Sequence, residues 1–193
     1  MVDKKKFRKQ CLRYRQQLTS EKYQKHSGQI IANLLKEVNL DKYDTIHCYA
    51  AITKNREVNT FPLLKNLIDD GKRVVLPVSD FEHVEMNNIL LHSVNELQEN
   101  NWGIPEPKSG PEVEDSTIDL AIIPMVGADK NCNRIGYGRG FYDRFLKNFN
   151  APKVGLCYRQ CVISEVLNTN YHDVPLDMVV TEKSTIIRSS GRH

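Results

Sequence analysis

The sequence predicts an α/β domain of three layers, in which a mostly parallel central sheet lies between helices. Short apolar runs of strand length alternate with segments of helical periodicity, most plainly over residues 45–78, where strand, helix and strand follow one another. The 193 residues are 40% hydrophobic and 26% charged, an ordinary globular composition. We therefore expect a single domain spanning residues 1–193.

The chain is predicted to begin with two helices. An apolar stripe at helical spacing marks the first: Phe7, Cys11, Tyr14 and Leu18. Its other faces carry the basic residues Lys4, Lys5, Lys6, Arg8, Lys9, Arg13 and Arg15. The second helix starts at Thr19 or Ser20, since either residue is a suitable N-cap.

Apolar runs then predict the strands of the sheet, at residues 45–51, 72–78, 117–126, 152–158 and 177–182, with a further strand in 86–94. A helix over 59–71 is stopped by Gly71. Another helix ends near Asn150, because three phenylalanines from Phe141 onward recur every four residues. The proline-rich segment 103–116 predicts a loop.

Charge and composition exclude several classes of protein. The net charge is +3, but it is unevenly distributed. The first 15 residues contain seven basic residues and one acidic residue, so the rest of the chain is slightly acidic. Such a local cluster favours one anionic group or a solvated helix face over a nucleic-acid surface. No apolar run approaches the ~20 residues of a membrane span, and the start lacks a signal peptide. We expect a soluble, cytoplasmic protein.

The five cysteines and six histidines show no zinc-ligand spacing and no disulfide framework. The cysteines are therefore expected to be reduced and to pack in the core. Any bound metal is expected to have oxygen ligands.

The stretch "NRIGYGRGFYDRFL" at 133–146 concentrates glycines, cations and aromatic residues. It is neither a P-loop nor a Rossmann fingerprint, and no predicted strand directly precedes its first glycine. Glycines at a helix start expose N–H groups to phosphate, with Arg134 and Arg139 as cations and Asp143 as a magnesium ligand. The alternative is a tight strand-to-helix connection in which Asp143 only complements the helix dipole.

Other polar residues admit a functional and a structural interpretation. Lys4 and Arg8 share one helix face, which either meets a polyphosphate or is solvated. Glu57 follows a strand and either accepts hydrogen bonds from an amino-heterocycle or lies beside a cap formed by Asn59 or Thr60. Trp102 either walls an aromatic pocket or covers the edge of the core.

Together these stretches resemble the 5-formyltetrahydrofolate cyclo-ligase family. "NRIGYGRGFYD" is similar to its GxRxGxGxGYYD signature, and four shorter blocks follow the family's order: Lys4 with Arg8, "EVNT" at 57–60, "WGIPEP" at 102–107 and "VPLDMVVTE" at 174–182. The resemblance covers essentially the whole chain. It implies a fold related to ribose-phosphate isomerases and CoA transferases.

The resemblance also implies an activity and its residues. The reaction is the ATP- and Mg²⁺-dependent closure of 5-formyltetrahydrofolate to 5,10-methenyltetrahydrofolate, giving ADP and phosphate. ATP would contact Lys4, Arg8, Arg134, Ile135, Gly136, Tyr137, Gly138, Arg139, Gly140, Phe141 and Tyr142. Folate would contact Lys54, Glu57, Asn59, Trp102 and residues 137–141. Asp143 and Asp177 would bind Mg²⁺, and Lys4, Arg134 and Arg139 would be catalytic.

Two positions depart from the family pattern, and two other functions compete. Asn59 stands where an acidic residue is common, and Arg139 stands where Lys or Gly is frequent. A phosphosugar isomerase of the related fold would need neither ATP nor Mg²⁺. A nucleic-acid module would use the basic helix, with the aromatic residues of 137–142 for stacking. We expect small-molecule substrates, a monomer, and neither nucleic acid nor membrane as partner.

Overall fold

The computed structural model describes residues 2–189. The α-helices in this range are α1 (Lys4–Gln17), α2 (Ser20–Glu37), α3 (Phe61–Asp69) and α4 (Phe141–Phe145). The strands are β1 (Thr45–His47), β2 (Arg73–Asp80), β3 (Glu85–Leu91), β4 (Leu97–Glu99), β5 (Pro105–Pro107), β6 (Leu120–Pro124), β7 (Gly127–Asp129), β8 (Arg134–Ile135), β9 (Lys153–Leu156), β10 (Val162–Ile163), β11 (Met178–Val180) and β12 (Thr185–Ile187).

A seven-stranded sheet forms the centre of the molecule, in the order β12-β11-β9-β6-β1-β2-β3. Its five inner strands are parallel, whereas β12 and β3 are antiparallel to their neighbours at the two edges. Helices flank this sheet. The predicted α/β class with a mostly parallel central sheet is confirmed.

Burial explains why the apolar runs become inner strands. The side chains of Leu120 and Ile122 in β6 are fully buried, and so are those of their intervening neighbours. Inner strands of a parallel sheet are covered on both faces, so a continuous apolar run fits them better than an alternating one. Most strands are shorter than their predicted runs; for example, β1 ends at His47, although the buried run continues to Ala51. By contrast, β2 extends to Asp80, beyond the predicted end at residue 78.

Helix ends follow the predicted caps. Thr19 is the N-cap of α2, and its Oγ1 accepts a hydrogen bond from the Lys22 N–H at 3.2 Å. Gly71 follows α3 with φ at +77°, a conformation that glycine adopts without strain. By contrast, α4 ends at Phe145, so the predicted helix to Asn150 is wrong; a 3₁₀ turn covers 146–148 instead.

Two smaller sheets were not predicted. In the segment predicted as a loop, β5 pairs with β4. The carboxylate of Glu106, within β5, accepts hydrogen bonds from the Ser79 N–H and the Asn100 side chain. The other sheet has the order β10-β7-β8. Because β8 ends at Ile135, a strand does directly precede Gly136, contrary to the prediction.

Helix α1 places its apolar stripe on the core, but its polar faces differ from the prediction. Phe7 and Cys11 are buried as predicted. Arg15, assigned to a polar face, is only 1% exposed. Its Nη1 and Nη2 atoms donate to the Tyr137 hydroxyl and the Met125 carbonyl, whereas Nε has no partner among the residues described.

The start of the chain is fastened to its last quarter. Val2 forms a parallel bridge with Leu167, and the Lys4 ammonium pairs with the Asp173 carboxylate. The five cysteines are free and buried, as predicted. Among residues 2–189, no helix combines the length and apolar character that crossing a bilayer requires.

Candidate active site

A cleft of about 540 Å³ lies at the carboxyl ends of the parallel strands. Tyr49 and Ala50 follow β1, Ser79 belongs to β2, Pro124 ends β6, and the segment 134–143 closes one side. Ligands bind at this edge of open α/β sheets, because the loops after neighbouring strands converge there. The two predicted polar segments therefore share one cleft.

Residues 136–140, which we call the glycine loop, line this side of the cleft. Gly138 has φ at +99° and Gly140, the N-cap of α4, has φ at +74°. Within residues 2–189, the backbone N–H groups of Tyr137, Gly138 and Arg139 donate no hydrogen bond to the protein. Free N–H groups in a tight turn form a concave site for an anion.

Two cations of α1 line the cleft beside this loop. The Arg8 Nε donates to the Gly136 carbonyl at 2.8 Å, and the Arg8 guanidinium lies about 3.5 Å from the point where a Cβ on Gly138 would stand. Lys4 lies one turn earlier on the same face and lines the cleft. The predicted shared face of Lys4 and Arg8 is confirmed, and it faces the cleft.

We expect Lys4→Ala and Arg8→Ala to weaken ATP binding at least about tenfold while leaving folate binding nearly unchanged. A charge-assisted contact with phosphate contributes about 1.5–3 kcal/mol, which corresponds to that factor. Calorimetry with each ligand measures both effects, and Lys9→Ala on the exposed face of α1 is the control. Unchanged nucleotide affinity in both variants would contradict the assignment.

Arg134 and Asp143 form an ion pair at the other end of the loop. The Arg134 Nη2 lies 2.7 Å from the Asp143 Oδ1, and Nη1 donates to the Val174 carbonyl. Burial lowers the pKa of Arg134, while the Asp143 carboxylate opposes that shift. The Asp143 Oδ2 accepts no hydrogen bond from the residues described, so one oxygen remains available to a ligand.

A hydrogen-bonded chain crosses the floor of the cleft. The Tyr137 hydroxyl donates to the Glu57 Oε1 at 2.6 Å, and the Ile52 N–H donates to Oε2 at 2.7 Å. From the other side, the Arg15 Nη1 donates to the Tyr137 hydroxyl at 3.2 Å. Burial raises the pKa of Glu57, and the charge of Arg15 opposes this shift. Glu57 is thus a buried, well-oriented acceptor.

The buried His47 side chain contacts Tyr142. Its Nε2 lies 3.2 Å from the Tyr142 hydroxyl, and its Nδ1 lies 2.6 Å from the Asn88 Oδ1. Burial lowers the pKa of His47 to about 4, although the bond to Asn88 opposes this. At neutral pH the imidazole is therefore uncharged, and with Nδ1–H directed at Asn88, Nε2 accepts from Tyr142.

Aromatic side chains form the opposite wall. The Phe81 and Trp102 rings stack with centroids 3.8 Å apart, and Phe141 meets Phe81 edge-on at 5.2 Å. The Arg139 guanidinium lies 6.0 Å from the Phe81 centroid. A flat heterocycle fits such a wall. Trp102 therefore lines the pocket, one of its two predicted roles.

Three predicted site residues do not line the cleft: Lys54, Asn59 and Asp177. Lys54 is exposed, with its Nζ 4.0 Å from the Glu99 carboxylate. The Asn59 Oδ1 accepts a hydrogen bond from the Phe61 N–H at the start of α3, a local contact of the kind that the structural interpretation predicts.

Asp177 lies at the amino end of β11, where its carboxylate accepts from the Lys153 N–H at 2.8 Å and pairs with the Lys153 ammonium. The carboxyl ends of the parallel strands, where Asp143 lies, are at the opposite edge of the sheet. The structure thus separates the two predicted magnesium ligands.

Sequence reasoning missed Arg15, Phe81 and Asp173. Phe81 lies at the turn between β2 and β3, and an aromatic residue amid polar neighbours was the available signal. Asp173 gave no signal, because its partner Lys4 is 169 residues away. Within the described residues, no group of three or more metal-ligating His, Cys, Asp or Glu side chains occurs.

Comparison with known proteins identifies the family of the chain. The model of the 5-formyltetrahydrofolate cyclo-ligase family matches residues 1–182. A 5-formyltetrahydrofolate cyclo-ligase of Escherichia coli K12 is 33% identical over 177 residues, covering 86% of this chain and 93% of that protein.

Two solved structures are also similar. A 5,10-methenyltetrahydrofolate synthetase of Aquifex aeolicus has a TM-score of 0.84 at 31% identity, covering 98% of this chain and 95% of the other. One from Mycoplasma pneumoniae has a TM-score of 0.76 at 25% identity, covering 94% and 99%. With its fold, its glycine loop and this match along the chain, the protein belongs to the 5-formyltetrahydrofolate cyclo-ligase family.

Proposed function

We propose that the protein catalyses the ATP-dependent cyclisation of 5-formyltetrahydrofolate to 5,10-methenyltetrahydrofolate, with release of ADP and phosphate. The observation that carries this proposal is a single cleft with two chemically different ends. One end has the free N–H groups of the glycine loop beside Lys4 and Arg8. The other has the Glu57 carboxylate and the stacked pair of Phe81 and Trp102.

The reaction needs activation of a poor leaving group. The formyl oxygen attacks the γ-phosphorus of ATP, the bond to the β,γ-bridging oxygen breaks, and ADP leaves. Nitrogen 10 then attacks the activated formyl carbon and gives up its proton, which the departing phosphate takes up. Loss of that phosphate from the carbon completes the methenyl bridge. Positioning and charge neutralisation carry such a phosphoryl transfer, so the protein needs no covalent nucleophile.

Residues at the phosphate end neutralise and orient the polyphosphate. Lys4 and Arg8 contact its oxygens, the glycine-loop N–H groups donate to them, and Arg139 lies at the entrance. Arg134 acts mainly through its ion pair, which fixes Asp143 and the start of α4. Charge-assisted hydrogen bonds from such preorganised donors are strongest where negative charge develops.

At the folate end, Glu57 accepts hydrogen bonds from the amino-heterocycle, and the aromatic wall covers its face. Tyr137 and the adjoining glycines lie between the two ends, so they border both substrates. We propose no folate contact for Lys54 or Asn59, because neither lines the cleft.

Asp143 fits a magnesium ion, because its Oδ2 is free within the described residues and it borders the glycine loop. Mg²⁺ in nucleotide sites typically has one or two carboxylate ligands plus phosphate oxygens and water. When bound there, it would withdraw charge from the phosphate oxygens. Asp173 also lines the cleft, but the Lys4 ammonium occupies its carboxylate.

The assay follows the absorbance of the methenyl product with ATP, Mg²⁺ and 5-formyltetrahydrofolate. We expect product only when all three are present, and we expect exhaustive EDTA treatment to abolish it. Turnover without ATP would contradict the proposed reaction. Turnover undiminished by EDTA would contradict the magnesium role alone. A phosphosugar isomerase or a nucleic-acid module would give no product.

We also propose that the working unit is a cytoplasmic monomer. One chain by itself forms both the phosphate end and the folate end of the cleft. Five free, buried cysteines are typical of a reducing compartment. The basic face of α1 is partly occupied within the protein, since Lys4 and Arg8 face the cleft, which argues against nucleic acid. Light scattering after size exclusion tests the monomer.

A further inference from the structure

Arg15 is a buried cation that the proposed mechanism leaves without a role. It is 1% exposed and lies one turn of α1 beyond Cys11. Its guanidinium forms no direct salt bridge among residues 2–189. Burying a charge is costly, so the fold would be expected to carry an apolar residue here unless the cation is used.

The contacts of Arg15 lead into the cleft. Its Nη2 donates to the Met125 carbonyl just after β6, and its Nη1 donates to the Tyr137 hydroxyl at 3.2 Å. That hydroxyl in turn donates to the Glu57 Oε1 at 2.6 Å. One hydroxyl group therefore separates the buried cation from the carboxylate at the folate end.

We propose that Arg15 is a positioning residue for folate binding, which acts through the Tyr137 hydroxyl to hold the Glu57 carboxylate ionised and oriented. This inference rests on the proposed function and deepens it. An ionised Glu57 accepts N–H donors of the heterocycle, whereas a protonated carboxyl would direct its own donor at them. Arg15 does not touch the substrate itself.

The surroundings of Glu57 leave Arg15 as its main source of positive charge. Burial raises the pKa of Glu57; Arg15, the Tyr137 hydroxyl and the Ile52 N–H lower it, with Arg15 the largest of the three. Tyrosines face Glu57 from the other packed elements: Tyr23, Tyr49 and Tyr142. Burial raises the pKa of each, so they are uncharged at neutral pH.

Loss of the Arg15 cation would favour the protonated form of Glu57. Without the cation, the pKa of Glu57 moves higher, so the carboxylate fraction falls at any pH near it. The acid limb of kcat/KM for 5-formyltetrahydrofolate must then move to higher pH. A purely structural role for Arg15 would lower stability or activity without moving this limb.

The experiment measures kcat/KM for 5-formyltetrahydrofolate at saturating ATP between about pH 5 and pH 9. We expect Arg15→Gln to shift the acid limb upward and to lower kcat/KM at least about tenfold on that limb. Arg15→Lys keeps the cation and should return the limb toward its wild-type position. Arg13→Gln removes an exposed cation of the same helix and is the matched control.

Tyr137→Phe keeps the test decisive if Arg15→Gln fails to fold. It removes the connecting hydroxyl but leaves the guanidinium, and it too should shift the limb upward. A folded Arg15→Gln enzyme with the wild-type pH profile, or a Tyr137→Phe enzyme with an unmoved limb, would overturn the inference. Absence of methenyl product with the wild-type protein would instead overturn the proposed function.

Discussion

Gly138→Ala and Gly140→Ala are each expected to lower the affinity for ATP at least about tenfold. Both glycines have positive φ, at +99° and +74°, where an L-residue is disfavoured by about 1–2 kcal/mol. Relief of that strain would turn the peptide planes and redirect the N–H groups that are proposed to face phosphate. A loss of about 1.4 kcal/mol in binding corresponds to tenfold.

Gly136→Ala is the matched control for this pair. Gly136 lies in the same loop, its φ is not positive, and a Cβ there would meet no atom within 4 Å. We therefore expect near wild-type stability and a smaller loss of ATP affinity than in the other two variants. Arg139→Lys should also be mild, because it keeps a cation near the phosphates. Calorimetry and thermal melting on the same samples separate binding from folding.

Normal ATP binding by both the Gly138 and Gly140 variants would show that the glycines serve only the turn. The same conclusion would follow if Arg139→Lys were the most damaging of these substitutions.

Asp143→Asn is expected to lower kcat on the order of a hundredfold, about 2.7 kcal/mol, through loss of the proposed magnesium ligand. The melting temperature should also fall, because Arg134 is buried and loses its charged partner. The stability loss should be modest, about 1 kcal/mol, since Asn keeps an acceptor and Asp143 is itself 29% exposed. Kinetics over a Mg²⁺ titration measure the first effect.

Asp177→Asn distinguishes the metal role from the loss of an ion pair. Asp177 pairs with Lys153 at the opposite edge of the sheet, so its variant should lose some stability but keep the wild-type Mg²⁺ dependence. A raised Mg²⁺ requirement in Asp177→Asn would contradict the separation of the two carboxylates. An unchanged requirement in Asp143→Asn would remove Asp143 as a ligand.

Strongly apolar segments and glycine-rich turns were predictable from the sequence. The run at 117–126 contains β6, and Lys4 and Arg8, predicted to share one helix face, both line the cleft beside the glycine stretch. Both predictions depend on local signals, namely burial on both faces of a parallel strand and the spacing of side chains on a helix. The roles of these residues stay predictions until the substitutions are measured.

Contacts between residues far apart in the sequence limited what could be predicted. Arg15 was grouped with the basic residues on the polar faces of the first helix, and its acceptors, Met125 and Tyr137, lie 110 and 122 residues away. The position of Asp177 outside the cleft was predictable by a different argument. The predicted strand 177–182 already put this residue at an amino end, whereas ligands bind at carboxyl ends.

The contacts of α1 with distant segments of the chain also determine when the cleft can form during synthesis. Lys4 contacts Asp173, and Arg8 contacts the glycine loop at Gly136. These walls of the cleft are therefore joined by residues that lie far apart in the sequence. During synthesis the helix can form early, since its hydrogen bonds are local. On the ribosome, however, the Lys4–Asp173 pair must wait until residue 173 has emerged. The newborn chain therefore completes the proposed nucleotide site only after that segment has left the ribosome.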